Sequence, residues 1–173
     1  MNSPTMVRSL FEYNYWAVDR VLRVASRLEP SQLTSQTTMP HGSLWATLFH
    51  SLGAEWLWIE RCRGHSPSSF LAGEESPDLQ TMSEKWAAQR ATTLAFLHSI
   101  DQQALSRTVS YKSLKGMARS NILGDILIHV AMHTTQHRAE AAQILTEMGH
   151  SPGDLDYDEY IEARSTADSL ACA

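Results

Sequence analysis

Residues 121–148 read NILGDILIHVAMHTTQHRAEAAQILTEM, and the spacing of the apolar residues in this stretch decides the fold. Apolar side chains recur at three- and four-residue intervals, and Gly149 with Pro152 just beyond closes the pattern. The period is that of a long amphipathic helix. With His133 at zero and 100° per residue, Ile126 and Ile144 fall at about 20°, and His137 at about 40°. Val130 and Met148 follow at about 60°, then Leu123 and Ala141 at about 80°. Two histidines one turn apart therefore share the apolar arc. His129 lies at about −40°, on the edge of that arc near Glu140 and Glu147.

Three more helices are expected. The first spans about Thr5 to Glu29, with Ser3 as cap, Pro4 in the first turn and Pro30 as stop. Its stripe is Val7, Leu10, Phe11, Val18, Val21, Ala25 and Leu28, with Asn14 inside it. The second spans Ser43 to about Arg63 and stops at Gly64. It is apolar nearly all round and carries Trp45, Trp56 and Trp58, so burial on more than one side is expected. The third opens at the capping box Thr81-Met82-Ser83-Glu84 and runs to about Ser99, with polar Arg90 and Thr93 on its core face. Between Asp101 and Gly116 a short helical turn capped by Asp101 is expected, and Thr108 to Tyr111 has weak strand character. The acidic, aromatic segment Asp154 to Glu162 reads as a short helix. One all-α domain over residues 1–164 is expected, with residues 165–173 as a frayed tail.

Composition narrows the function. The chain has 173 residues, 43% of them apolar, enough for one well-buried core. The formal charge is −5 with no basic stripe, which argues against a nucleic-acid partner. No apolar run reaches the roughly 18 residues needed to span a bilayer, so no membrane partner is expected. The first residues show no secretory signal, and Cys62 and Cys172 do not suggest a disulfide; a reducing cytoplasm is expected.

Histidine is the unusual component: eight in the chain, three of them between residues 129 and 137. A buried imidazole needs hydrogen-bond partners away from water. His133 and His137, at i and i+4, can instead aim ring nitrogens at one metal ion. Spacing alone leaves both readings open, a metal pair or a pair of satisfied core histidines. In a bundle, a third ligand comes from a facing helix. His50, in line with Ala46, Ala54 and Leu57 on the second helix, is the best candidate, although that helix is too uniformly apolar for periodicity to prove it. His41, His65 and His150 sit in loops, and His98 near a helix end.

Five segments, in order, resemble one family. Tyr13-Asn14-Tyr15-Trp16-Ala17-Val18-Asp19-Arg20 resembles its opening Y-N-x-W-A-x-x-R. Leu48 to Trp58, around His50, resembles its second-helix segment. Trp86-Ala87-Ala88-Gln89-Arg90 resembles its W-x-x-x-R. His129 to Arg138 resembles its H-V-x-x-H-x-x-x-H-R, and Ser151 to Asp156 its closing segment. The chain is similar to the DinB/YfiT-like family of helical metalloproteins over residues 6 to 162. The resemblance implies a four-helix up-down-down-up bundle and one divalent ion, Zn, Ni or Fe, on His50, His133 and His137. It also implies transfer of a low-molecular-weight thiol to a small electrophilic substrate, or hydrolysis of that substrate. The alternative is a non-enzymatic, metal-binding stress protein. Asn14, Arg90 and Thr93 are the candidates to line a cavity beside the ion, and the apolar second helix suggests a homodimer. Glu140 stands where the family often has Gln; it could orient a metal-bound imidazole or be a solvated edge residue, and the edge reading is favoured.

Overall fold

The computed structural model describes residues 3–71 and 78–171. Its elements are α1 (Pro4–Ala25), α2 (Pro30–Leu33), α3 (Leu44–Cys62), α4 (Leu79–Ser99), α5 (Gln102–Leu105), β1 (Thr108–Lys112), β2 (Ala118–Ile122), α6 (Leu123–Glu147) and α7 (Tyr157–Ala171). The protein is mostly helical, as its periodicity predicts. The helix α7 extends past residue 164 to Ala171, so the expected tail overlaps its last turns, and residues 172–173 lie outside the described ones. Among the described residues, no helix is long and apolar enough to cross a membrane.

The helix ends follow local chemistry. Ser3 Oγ accepts from the Met6 N–H at 3.1 Å, and Ser43 Oγ from the Ala46 N–H at 3.2 Å, each satisfying an orphan donor of the first turn. At the far end of α6, the His150 N–H returns to Leu145 O at 2.8 Å while Gly149 takes φ +84°, a left-handed position that suits glycine. α4 begins three residues earlier than a box capped by Thr81 implies. Asp78 caps it, accepting from the Gln80 and Thr81 N–H groups at 3.1 and 3.2 Å. A carboxylate at that position also faces the positive end of the helix dipole.

The expected start of the last helix at Asn121 needs correction. Residues 118–122 pair antiparallel with 108–112 as β2, and α6 begins only at Leu123. The Leu123 N–H bonds Arg107 O at 2.9 Å, so the strand hands its backbone directly to the helix. β2 is exposed along its whole length, which is why Ala-Arg-Ser-Asn-Ile shows no alternation of apolar and polar residues.

Each of the four long helices touches two others: α6 packs on α1 and α3, and α4 packs on α1 and α3. The core fills the space they share, with Phe11, Leu44, Leu52, Ile59, Met82, Leu97, Leu127 and Leu145 among its most buried side chains. α6 and α3 make the most extensive contact between helices, and the histidines lie on that seam.

Candidate metal centre

His50 stands on α3; His133 and His137 stand on α6. His133 Nε2 lies 3.4 Å from His50 Nε2 and 3.3 Å from His137 Nε2. Nitrogens bound tetrahedrally at 2.0–2.1 Å from one zinc-like ion are about 3.3–3.4 Å apart. The Nε2 atoms of His50 and His137 thus each stand from His133 Nε2 at the separation that a shared ion requires, and the His50 and His137 rings lie 4.8 Å apart. The same donors suit other imidazole-binding divalent ions.

The surroundings prepare these rings. Burial first, and then the neighbouring histidines, lower the pKa of both His50 and His133 to about 4. Both are therefore neutral at ordinary pH, the form that binds metal. His137 is buried and its Nδ1 lies 2.7 Å from Glu140 Oε2. In the neutral ring that bond puts the hydrogen on Nδ1 and the lone pair on Nε2, facing the other two rings. Burial works against the Glu140 charge, but hydrogen bonds from His137 and Gln136 outweigh it and hold the carboxyl below its usual range. Glu140 is not a solvated edge residue: its side chain is only 15% exposed.

A fourth imidazole joins them. His41, from the segment before α3, stacks on His50 at a ring separation of 4.0 Å and meets His137 edge-on at 4.9 Å. One donor atom each from His41, His50 and His137 lies within 4.8 Å of the others, so this trio could also hold an ion. The two trios overlap in His50 and His137; the Nε2 separations of His133 from both are the closer match to bound donors. Phe70 covers the other side of His50, nearly parallel to it at 5.6 Å.

His129 is exposed and packs edge-on against Trp58 at 5.2 Å, with its ring 5.7 Å from His133. With Trp58, Asn121, Asp125 and Ile126 it lines a cavity of about 320 Å³, one helical turn from His133.

The three polar residues expected to line the cavity have other partners. Asn14 donates to Ala131 O at 3.0 Å and accepts from Arg138 Nη1 at 2.8 Å and Thr135 Oγ1 at 3.1 Å. Arg138 also reaches Tyr13 Oη, so these residues clamp α1 to α6. Thr93 donates to Glu55 Oε1 at 2.9 Å inside the core. Arg90 pairs with Asp19 at 3.0 Å and lies over the Tyr15 ring, in a cleft between α1 and α4. Among the described residues, none of these partners is a histidine of the cluster. Phe70 and His41 lie in loop segments without a helical period, so no stripe marks them as members of the cluster, and His41 stands in the sequence only as one loop histidine among several. Glu140 was detectable, since i and i+3 on one helix are neighbours.

A helical scaffold whose central seam gathers four histidines, three with converging Nε2 atoms, defines a protein with a candidate polyhistidine metal centre. The sequence pattern of the DinB family matches residues 1–168, and the chain belongs to that family. It is similar to Protein DinB of Bacillus subtilis (strain 168), with 23% identity over 163 residues, covering 88% of this chain and 91% of that protein.

Proposed function

We propose that His50, His133 and His137 hold one divalent ion, and that the protein uses it to transfer a low-molecular-weight thiol to a small electrophile or to hydrolyse that electrophile. The approach of His50 Nε2 and His137 Nε2 to His133 Nε2, at 3.4 and 3.3 Å, carries this reading. A bound ion would supply Lewis acidity, drawing the pKa of a coordinated water or thiol down toward about 7. Three neutral ligands leave its charge undiminished and at least one position open. Trp58 and Ile126 give the neighbouring cavity an apolar wall, and Asn121, Asp125 and His129 give it polar groups to orient a substrate. Asn14, Thr135 and Arg138 fix α6 against α1, which holds the ring positions from behind.

The test is a screen of small thiols against small electrophiles, with the metal-loaded protein and with protein stripped by a chelator. Turnover that depends on metal supports the proposal. Equal rates with and without metal, across a set that spans alkylating and acyl substrates, would overturn the enzymatic reading. A second reading, a non-enzymatic metal-binding protein of the stress response, is favoured by one observation: His41 stands close enough to fill the open position.

We further propose that the four long helices run up-down-down-up. Residue pairing supports two antiparallel neighbours. Arg8, Tyr15 and Asp19 of α1 meet Leu97, Thr93 and Arg90 of α4 in reverse order. His50 and Trp58 of α3 meet His133 and His129 of α6 in reverse order. The buried free thiol of Cys62 supports a reducing, cytoplasmic compartment. The half-buried Trp45, Trp56 and Trp58 of α3 support a homodimer, which sedimentation at tens of micromolar would show; a monomer alone there would contradict it.

A further inference from the structure

His41 is the member of the cluster that no helix carries. Its loop is closed by two backbone bonds, Thr37 N–H to Gly42 O at 2.7 Å and Gly42 N–H to Met39 O at 2.8 Å. Gly42 takes φ +78°, a left-handed position that lets the chain turn straight into the cap of α3. The turn fixes the His41 backbone beside the site. The ring is half-buried, stacked on His50 and edge-on to His137, both helix-borne. One ligand atom each from His41, His50 and His137 lies within 4.8 Å of the other two, so the His41 ring stands within reach of an ion held by its neighbours. The His41 side chain hangs from a turn, so its approach to the ion need not move a helix.

We propose that His41 is a fourth, displaceable ligand, which caps the ion held by His50, His133 and His137 and yields its place to an incoming small ligand. The proposal rests on the three-histidine reading. On ligand exchange the metal–nitrogen bond to His41 breaks, the ligand's donor atom takes the vacated position, and the freed imidazole stays beside the site. His41 then reconciles a closed resting site with a reactive one: the ion is shielded until a ligand that binds it better arrives.

The experiment uses the full chain loaded with Co²⁺, whose visible bands report coordination number. It compares wild type with His41→Phe, which keeps an aromatic ring to stack on His50 but cannot ligate, and with His41→Ala. Far-UV circular dichroism first confirms the helices. Both variants should still bind one Co²⁺, with altered bands and an affinity weaker by about tenfold or more, since losing a ligand should cost at least what losing an outer-shell partner does. Both should bind 2-mercaptoethanol, read as a thiolate-to-cobalt band, about tenfold more tightly, because no resident ligand must first leave. If either variant shows the wild-type bands and affinity, or binds the thiol no better, the proposal is overturned and the three-histidine reading still stands. If His133→Ala, run alongside, holds Co²⁺ as wild type does, that reading itself has failed.

Discussion

Glu140 controls which nitrogen of His137 carries a hydrogen. Its carboxylate engages Nδ1 at 2.7 Å and is itself steadied by Gln136 at 3.3 Å. Carboxylate partners of this kind orient the ring and raise its basicity toward metal, and losing them typically costs about 10–100-fold in affinity. Glu140→Gln should therefore weaken Zn²⁺ binding by about that factor with the fold intact, as a competitive chelator titration would read. Unchanged affinity would return Glu140 to the role of a surface residue. At this scale the sequence was informative only where periodicity applied. His133 and His137 share an apolar arc that any helical wheel displays. His50 sits on a helix with apolar residues all round, so its line with Ala46, Ala54 and Leu57 made it the best third ligand without proving it, and the family resemblance added the rest. His41 belongs to a turn whose course depends on Gly42 and on tertiary packing, which no periodic pattern encodes.

The helices are where chain and fold agree best, since caps, glycine stops and apolar stripes act locally. The misses have local causes too. Thr81 and Glu84 make an acceptable box, but Asp78 lies upstream with a carboxylate that accepts two N–H groups, and the helix lengthens to meet it. β2 has exposed side chains throughout, so its pairing with β1 is a backbone matter invisible to patterning. One element contact reaches the site. On α3, a Cβ at Gly53 would lie 2.2 and 2.6 Å from ring atoms of Phe70, so that ring must move aside. Gly53→Ala should cost about 1–3 kcal/mol by overpacking and swing Phe70 off His50. Thermal unfolding should show the loss, and metal affinity should change with it. A variant as stable as the wild type would mean that Phe70 has no fixed seat against α3.

For the whole molecule, two features pull stability in opposite directions with pH. His50 and His133 have folded pKa values lowered to about 4 from an ordinary 6.5. Below 6.5 the unfolded chain takes up more protons, so their contribution, complete above that pH, is lost as pH falls toward 4. Glu55 behaves oppositely. It is fully buried and accepts from Tyr15 Oη at 2.6 Å and from Thr93, and among the described residues its Oε2 has no partner. Burial raises its pKa to about 7, against hydrogen bonds from Tyr15 and Thr93 that lower it. Its folded pKa exceeds the unfolded one, so stability declines as pH rises from about 4.5 to about 7. Glu55→Gln should remove that decline. It should gain on the order of 1–3 kcal/mol at pH 8 and nothing at pH 4.5, measured on metal-free protein by urea unfolding. A variant that loses stability at pH 8 would show that the ionised carboxylate is stabilising where it stands.

All of this turns on which rings hold the ion. The decisive measurement is metal content, by elemental analysis of untagged protein equilibrated with one equivalent of Zn²⁺ and then desalted. Wild type should retain one ion. His50→Ala, His133→Ala and His137→Ala should each lose most of it, while His129→Ala, whose ring faces Trp58 at the cavity rim, should keep it. The opposite result, an empty His129→Ala and a full His50→Ala, would mean that α6 alone binds metal along one face and that the seam between α3 and α6 is not the site.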